Sequence, residues 1–394
     1  MNAPLVADPA RRSLALPTGL LELRLERGAA ELDDLLGFAA RANAKRGFLF
    51  LSKVLGKHWP SRPAAMLDVH ARLAATVPDD AAGPVVFIAM AETAIGLGQG
   101  VFEAWLRTHP GRAALFLHTT RYRVGNGPLI EFEEAHSHAP RQFLHEPTDP
   151  ALRALLLAAR TLVLVDDEAS TGNTFVNLAA ACRRLNPGIA RVHLATIMNF
   201  MGRDAGKQLD ARFGLPVTLG ALVEGSFRFE PGALPPDPGA AQRFDAHADR
   251  GARTGFGRLG LARALAAPAA LAARLAREFA PGARVLVLGS GEFMHASTLL
   301  GAALEGHGID AVVQSTTRSP VLVWGAVGHA LDFPDNYGEG IANYLYNVAP
   351  GQYDHVLLCH ETAPGPVLDA LARRLGARLF HFRSEDDVEE VPVR

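Results

Sequence analysis

The sequence predicts an α/β protein made of two units, each with helices covering a parallel sheet. Short apolar strands alternate with amphipathic helices along most of the 394 residues, which is typical of parallel sheets. The chain is longer than one hydrophobic core usually spans, which favours two domains. A stretch rich in Pro and Gly, residues 229–253, reads as an extended linker that divides the alternation in two.

Residues 1–18 are predicted to be a flexible arm, and residues 19–228 to be the first domain. In this domain the apolar periodicity predicts helices over residues 31–42, 64–76, 100–107 and 151–160. Apolar runs predict strands over residues 47–51, 85–90, 114–119, 162–165 and 191–198. The polar segment 120–147 is too long for an ordinary connection, and such segments are usually functional or mobile.

After a linker at residues 229–256, the same alternation resumes and predicts a second domain over residues 257–385, followed by a tail at 386–394. Helices are predicted over residues 259–279, 293–305 and 366–375. Strands are predicted over residues 284–288, 311–314, 355–359 and 377–382.

The overall composition excludes several classes of protein. The formal net charge is −2, from 39 basic and 41 acidic residues, so no global basic field exists to hold a nucleic-acid backbone. The two cysteines, Cys182 and Cys359, lie in apolar periodic segments and are predicted to be buried thiols. No signal-peptide pattern and no long apolar run occur, so we expect a cytoplasmic protein that does not span a membrane.

The stretch 162–174 carries the most chemistry. An apolar strand ends in two adjacent carboxylates, Asp166 and Asp167, and a loop of small and hydroxyl residues then leads into an amphipathic helix. Such a loop at a helix N-terminus binds anions, because free N–H groups and the helix dipole both face the ligand. The two acids suit hydroxyls or a metal on the same ligand, so the pattern indicates a ribose 5-phosphate. The alternative is a strand–turn–helix in which these residues only cap the helix.

The residues from Val165 to Thr174, V-D-D-E-A-S-T-G-N-T, resemble the phosphoribosyl pyrophosphate (PRPP) signature of type I phosphoribosyltransferases. The resemblance implies that Asp166 and Asp167 bind the ribose 2- and 3-hydroxyls, act in catalysis and contact Mg²⁺. It also implies a 5-phosphate loop, consisting of Ala169, Ser170, Thr171, Gly172, Asn173 and Thr174. Glu168 departs from the resemblance, because many type I enzymes have an apolar residue there.

A type I enzyme also has a pyrophosphate loop after an earlier parallel strand. The candidate is Ala91, Glu92 and Thr93, whose small neighbours let backbone approach a phosphate closely. The alternative is a plain turn capped by Thr93. Two upstream lysines, Lys53 and Lys57, together with His58, are candidates for binding pyrophosphate or an acidic substrate, or else belong to a solvated loop.

The polar segment 120–147 offers further candidates. Arg121 and Arg123 are suited to phosphate. Glu134, His136 and His138 are candidates for acid–base chemistry, with Glu134 and His136 as catalytic residues, or for a metal site. The alternative is a set of surface side chains. The resemblance implies that this segment is a lid that excludes water from the site.

In the second domain, polar residues follow three predicted strands, and we expect them to share one edge of a parallel sheet. They include Ser315, Thr316, Thr317, Arg318, Ser319 and His360. Together they suit a phosphate or carboxylate, although hydrogen bonds within turns are an alternative. The sequence 289–291 is Gly-Ser-Gly, but Met294 stands where a dinucleotide-binding fingerprint has glycine, so a nucleotide cofactor is weakly indicated.

Residues 317–320 read T-R-S-P, and the chain resembles proteins with a phosphoribosyltransferase domain followed by a TRSP domain. The resemblance implies a Mg²⁺-dependent transferase that uses PRPP or a nucleotide and a nitrogenous acceptor, with a link to tellurium resistance. It implies further that the TRSP domain completes the acceptor pocket or binds a phosphorylated product. A homodimer is a further expectation, because dimers are common in this fold. The alternatives are a non-catalytic PRPP sensor and a nucleotide hydrolase or phosphorylase.

Overall fold

A computed structural model describes residues 10–43, 46–125, 127–133, 141–233, 253, 255–338 and 340–394. The N-terminal part, residues 10–233, contains eleven described strands and seven described helices. The strands are β1 Arg11–Leu16, β2 Gly19–Arg27, β3 Leu36–Ala40, β4 Phe48–Ser52, β5 Val85–Ala89, β6 Ala114–His118, β7 Leu129–Glu133, β8 Arg141–His145, β9 Thr161–Ala169, β10 Arg191–Asn199 and β11 Val217–Pro231. The helices are α1 Leu32–Leu35, α2 Pro63–Ala74, α3 Ile95–Thr108, α4 Pro150–Ala158, α5 Asn173–Leu185, α6 Gly202–Lys207 and α7 Leu209–Phe213.

Seven strands of the N-terminal part form one sheet in the order β1-β2-β11-β10-β9-β5-β6. The five strands from β11 to β6 are parallel, and the β1–β2 hairpin adds two antiparallel strands at one edge. Strands β5, β6 and β9 are buried along their apolar residues, as expected when helices cover both faces. The strand order reverses between β5 and β9, so a crevice opens outside the carboxyl ends of these two strands.

The C-terminal part, residues 253–394, repeats this architecture on a smaller scale. Its strands are β12 Arg284–Gly289, β13 Asp310–Ser315, β14 Ala330–Pro334, β15 Ala342–Tyr346, β16 His355–His360, β17 Ala377–Phe382 and β18 Val388–Val391, and its helices are α8 Ala269–Glu278, α9 His295–Gly306 and α10 Pro366–Leu375. The main sheet has the order β13-β12-β16-β17-β18, with β18 antiparallel. The prediction of two α/β units is confirmed.

The two parts share backbone hydrogen bonds. Ser61 pairs with Val313 of β13 through two antiparallel bonds of 2.8 and 2.9 Å, and the Ser315 amide donates to the Gly56 carbonyl at 2.7 Å. The segment between β4 and α2 therefore runs along the outer edge of the C-terminal sheet. None of the helices in the described part of the chain has the length and apolarity that crossing a bilayer needs.

Residues 31–42, predicted as a helix, form only the single turn α1 and then strand β3. β3 pairs with β4 in an antiparallel hairpin, and the amides of Leu322 and Ala326 donate to carbonyls of β3. A Cβ atom at Gly37 would lie 2.6 Å from the Cβ of Ala326. Pairing on both edges thus overrides the helical periodicity of the leucines.

Other elements also differ from the predictions. Arg11–Leu16 is a strand rather than part of a flexible arm, since it pairs with β2. The long polar segment contains the β7–β8 hairpin, and the tail contains β18. The helix predicted from residue 259 begins only at residue 269, because Pro268 precedes it and Leu261 pairs with Phe116 of β6. The linker residues 234–252 lie outside the described part of the chain.

Candidate active site

A cleft of about 240 Å³ opens at the strand-order reversal between β5 and β9. Its floor consists of the ends of these strands and the loops that follow them. Its other walls come from the β3–β4 hairpin and from the C-terminal part. The lining residues are Arg41, Arg46, Leu49, His58, Ala91, Glu92, Thr93, Arg121, Asp166, Asp167, Glu168, Ala169, Ser170, Thr171, Gly172, Thr174, Phe175, Thr317, Arg318, Ser319, Pro320 and Ile341.

The two predicted acids, Asp166 and Asp167, lie at the carboxyl end of β9 and line the cleft. The Asp166 carboxylate accepts a hydrogen bond of 2.9 Å from the Asp167 amide. Burial raises the pKa of Asp167, although Asp166, Arg46 and Arg41 act in the opposite direction. A half-buried pair of carboxyl groups at this position is suited to a hydroxylated or metal-bearing ligand.

The predicted phosphate loop joins β9 to α5. Gly172 has a φ of +72°, and a Cβ atom there would lie 2.8 Å from the sulfur of Met201, so the turn requires glycine. Arg212 donates to the Thr171 carbonyl at 2.7 Å and to the Asn173 side chain at 2.8 Å, which ties the loop to α7. The N-terminus of the thirteen-residue helix α5 therefore meets the cleft, where it favours an anion.

The predicted pyrophosphate loop follows β5 and faces the phosphate loop. Its Ala91 amide donates to Thr119 Oγ1 at 2.7 Å, and its Ala91 carbonyl accepts from Gln142 at 3.2 Å. The peptide bond between Ala91 and Glu92 is cis. Thr119 also donates to Gln142 at 2.6 Å, so two buried side chains that the sequence did not single out hold this loop in place.

Glu92 connects this loop to two cations. Lys57 lies 2.5 Å and Arg318 lies 3.1 Å from its two carboxylate oxygens. Burial alone would raise the pKa of Glu92, but these two neighbours lower it to about 2. Glu92 is therefore a carboxylate that joins the N-terminal part to the C-terminal part at the wall of the cleft.

The T-R-S-P sequence lines the same cleft as the two acids. The Thr317 amide and carbonyl pair with Tyr344 of β15 at 3.0 and 2.7 Å, and Tyr346 Oη donates to the Ser319 carbonyl at 2.9 Å. These bonds hold the loop after β13 so that Thr317, Arg318 and Ser319 line the same cleft as Asp166 and Asp167. The structure thus brings together two motifs that lie about 150 residues apart in the sequence.

The β3–β4 hairpin supplies cleft residues that sequence analysis missed. Arg46 donates two hydrogen bonds of 2.5 and 2.6 Å to Glu168, whose pKa is raised by burial despite Arg46. Arg41 donates to Ser319 at 3.0 Å. His58, a candidate from the sequence that lies after β4, also lines the cleft, and burial with the nearby Arg41 and Lys57 charges lowers its pKa to about 3. The signal in the sequence that could have pointed to Arg46 was Glu168, because an acid where related enzymes have an apolar residue indicates a basic partner.

Two family models match the sequence. Residues 35–226 match a family described as phosphoribosyl transferase, and residues 250–373 match the TRSP domain that lies C-terminal to it. The chain belongs to this family. The N-terminal part is thus a phosphoribosyltransferase domain and the C-terminal part is its TRSP domain. The comparison with curated proteins found no match.

Solved structures similar to the phosphoribosyltransferase domain include two bacterial adenine phosphoribosyltransferases. The protein from Thermoanaerobacter pseudethanolicus is 16% identical, with a TM-score of 0.34, over 50% of this chain and 98% of its own. The one from Rhodothermus marinus is 14% identical, with a TM-score of 0.31, over 49% and 96%. The orotate phosphoribosyltransferase from Francisella tularensis is 14% identical, with a TM-score of 0.29, over 48% and 80%.

Several residues predicted to bind ligand lie outside the phosphoribosyltransferase cleft. Lys53 donates to the Asp33 carbonyl at 2.6 Å and stacks over Trp59, so it points away from the cleft. Lys57 is buried, donates to the Gly291 carbonyl at 2.7 Å and reaches Glu92. Lys53 and Lys57 do not line the cleft because the segment that carries them runs along the C-terminal sheet. The Asn173 side chain binds Arg212.

Of the six polar residues predicted as a second site in the TRSP domain, Thr317, Arg318 and Ser319 line the cleft, while the other three form hydrogen bonds within the domain. Ser315 donates to the Gly291 carbonyl and Thr316 accepts from the Gly291 amide, both at 2.8 Å. His360 bonds through Nδ1 to the Thr362 carbonyl at 2.9 Å. These three residues do not line the cleft.

Arg258 occupies the strand-order reversal of the C-terminal sheet. It lies 2.9 Å from Glu292, after β12, and 2.8 Å from Glu361, after β16. Tyr337 also donates to Glu361 at 2.7 Å. The crevice where a second ligand was expected is therefore filled by side chains of the protein.

The remaining predicted residues divide into two groups. Arg121 lines the cleft, while Arg123 bonds to Glu131 at 2.7 Å outside it. Glu134, His136 and His138 lie outside the described residues. Within the residues that are described, no cluster of three or more His, Cys, Asp or Glu side chains is arranged to hold a metal.

Proposed function

We propose that this protein transfers the 5-phosphoribosyl group of PRPP to a nitrogenous acceptor and releases pyrophosphate, or runs the reverse reaction on a nucleotide. In this proposal Asp166 and Asp167 bind the ribose hydroxyls. Residues 170–174 bind the 5-phosphate, and residues 91–93 bind the pyrophosphate.

The observation that carries the proposal is the meeting of three groups in one cleft. The acids lie at the carboxyl end of β9 and the phosphate loop follows them, while the pyrophosphate loop follows the adjacent parallel strand β5. A single ligand with a phosphate, a diol and a second phosphate group would contact all three. A site for one phosphate alone would need neither the acids nor the second loop.

The cleft fits a magnesium ion that arrives with the ligand. Asp166 and Asp167 offer the carboxylate oxygens that Mg²⁺ prefers, and Mg²⁺ usually keeps waters and substrate phosphates as its other ligands. Two adjacent carboxylates match a magnesium ion that takes most of its ligands from water and from the substrate. When bound, Mg²⁺ supplies charge stabilisation for the pyrophosphate as it leaves.

The protein's own residues would contribute position and shape. Backbone N–H groups of the two loops hold the phosphates, so the bond between ribose C1 and pyrophosphate is kept in a fixed direction. Residues 317–320 cover the side of the cleft opposite the acids, which reduces access of water to a positively charged ribose. The acceptor would then approach between the hairpin and the TRSP domain.

Calorimetric titration of Mg²⁺–PRPP into the wild type and the Asp166→Asn/Asp167→Asn variant tests the proposal. A hydrogen bond to a charged group contributes about 1.5–3 kcal/mol, so losing two should weaken binding by about 100-fold or more. The matched control is Asp33→Asn/Asp34→Asn, another pair of adjacent acids, which does not line the cleft. Equal PRPP affinity in all three proteins would overturn the proposal.

Pyrophosphate release in the presence of a panel of bases separates an enzyme from a PRPP sensor. We expect release that depends on both Mg²⁺ and an acceptor. PRPP binding with no release for any acceptor would favour the sensor. A cytoplasmic location, a homodimer and the link to tellurium resistance remain predictions of the sequence.

A further inference from the structure

The arginines around the cleft differ in how they are paired. Arg46 is held by Glu168, and Arg318 is held by Glu92. Arg41 instead bonds to a neutral partner, the Ser319 hydroxyl, at 3.0 Å. Its Nε atom is enclosed and has no hydrogen-bond partner within the described part of the chain. A guanidinium offers five donors, and among the described residues the Ser319 hydroxyl is the acceptor that this one contacts.

Arg41 is half-buried, and a partly enclosed cation without a bonded carboxylate is stabilised by a ligand that completes its hydrogen bonds. Burial and the nearby Arg46 lower the pKa of Arg41 to about 10, which leaves it positively charged at neutral pH. The two carboxylates whose charges act on Arg41 already have other roles. Glu168 is paired with Arg46, and Asp167 belongs to the proposed ribose site. Arg41 therefore presents a positive charge to the cleft that an anionic ligand group would neutralise.

The position of Arg41 indicates which anion it would meet. The two phosphate-binding loops lie on the floor of the cleft, after β5 and β9, whereas Arg41 follows β3 in the hairpin and contacts the TRSP domain. Its amide bonds to the Gly47 carbonyl, and Ala39 pairs with Leu49. Because side chains alternate along strands, Arg41 and Leu49 project from the same face of the hairpin.

The same cleft also has apolar lining residues that suit a flat ring. Leu49 lines the cleft from the hairpin, and Pro320 and Ile341 line it from the TRSP domain. Apolar surfaces with one fixed charged group are typical of sites that bind and orient an aromatic acid. This combination lies on the wall where the acceptor would approach the ribose.

We propose that the acceptor is a nitrogen heterocycle bearing a carboxylate, and that Arg41, oriented by Ser319, binds this carboxylate. The inference rests on the proposed function and specifies its substrate class. A guanidinium binds a carboxylate through two parallel hydrogen bonds, which fixes the plane of the ring as well as its position. Arg41 would thus select acceptors by charge.

Matched pairs of probes test this inference. Nicotinate and nicotinamide, and orotate and uracil, share a ring and differ in the anionic group. We expect the wild type to bind at least one carboxylate member about tenfold or more tightly than its neutral counterpart, by calorimetry in the presence of Mg²⁺–pyrophosphate. Arg41→Gln should abolish this preference. Arg41→Lys, which keeps the charge, should retain part of it.

Lys53→Gln serves as the control, because Lys53 follows the same hairpin but points away from the cleft. Circular dichroism confirms that each variant is folded. A preference that persists in Arg41→Gln, or an absence of preference in both pairs, overturns the inference. Weaker binding of Mg²⁺–pyrophosphate by Arg41→Gln with an unchanged preference would assign Arg41 to pyrophosphate instead. Binding of Mg²⁺–PRPP by the wild type, measured separately, reports on the proposed function alone.

Discussion

Replacing Arg258 by alanine tests how the two parts of the molecule are joined. The Arg258 side chain is 1% exposed, and the carboxylates of Glu292 and Glu361 on either side of it are fully buried. Arg258 donates two hydrogen bonds to each carboxylate, at 2.8–3.0 Å. Glu292 also accepts from Thr120 Oγ1 and from the Arg121 amide, which follow β6. One guanidinium therefore links loops from both sheets.

Removing one partner of a buried ion pair usually costs about 3–5 kcal/mol, and here two carboxylates lose their cation, so we expect a loss of about 5 kcal/mol. That is a large share of the total stability of about 5–15 kcal/mol typical of a folded domain. Burial alone would raise the pKa of Glu292, but Arg258, His118 and hydrogen bonds lower it below 4.5. The stabilisation is therefore present above pH 4.5 and is lost as the pH falls below it. The penalty in Arg258→Ala should shrink at acid pH, where the freed carboxylates take up protons.

Urea unfolding at pH 7.5 and pH 4.0, followed by both tryptophan fluorescence and circular dichroism, measures this effect, because only the lower value lies below 4.5. Arg274→Ala is the control, because its ion pairs with Glu278 and Glu390 are on the surface and should contribute at most about 1 kcal/mol. A loss below about 1 kcal/mol in Arg258→Ala, or an equal loss at both pH values, would refute the reasoning. Combining Arg258→Met with neutral glutamines at both acids should restore part of the stability, because no buried charge is left unpaired.

Three further predictions concern packing and titration near the site. Gly98→Val should lower the urea midpoint by an amount equivalent to about 1–3 kcal/mol, because a Cβ atom at this position would lie 2.4 Å from the Cβ of Ala89. An unchanged midpoint would contradict this packing. Burial raises the pKa of both thiols, that of Cys182 to about 12, so neither should react with a thiol reagent at pH 8 until the protein is unfolded. Glu92→Gln should be less stable than the wild type at pH 7, with a difference that shrinks as the pH falls from 4.5 towards 2; a constant difference would show that the ion pairs of Glu92 contribute little.

The strands and helices around the phosphate loop were predictable because their signals are local. Strand β5 and residues 162–165 of β9 are continuous apolar runs, and α5 has an apolar face that begins directly after the Gly-containing turn. Strand β3 was not predictable in this way. The apolar residues of 31–42 follow a helical period, but the partners of β3, which are β4 and the segment around Ala326, are supplied by other regions of the chain.

The residues of the candidate site also divide into those with a local signal in the sequence and those without one. Asp166, Asp167 and the turn at Gly172 were singled out from the sequence, because neighbouring residues alone produce a strand that ends in acids and a helix N-terminus that is suited to an anion. The roles of the cations were not identified from the sequence. Lys57 and Arg318 read as free ligand-binding charges in the sequence, yet both are paired with Glu92.

The sequence by itself determined the fold class and the half of the site that would hold ribose and phosphate. Only the tertiary structure decided what forms the opposite wall, where Arg41 and Ser319 meet across 278 residues of chain. Backbone conformation and helix capping depend on residues within a turn or two, so they can be read along the chain. The pairing of a charge depends on which carboxylate reaches it in space, and that is set by how the two sheets pack together.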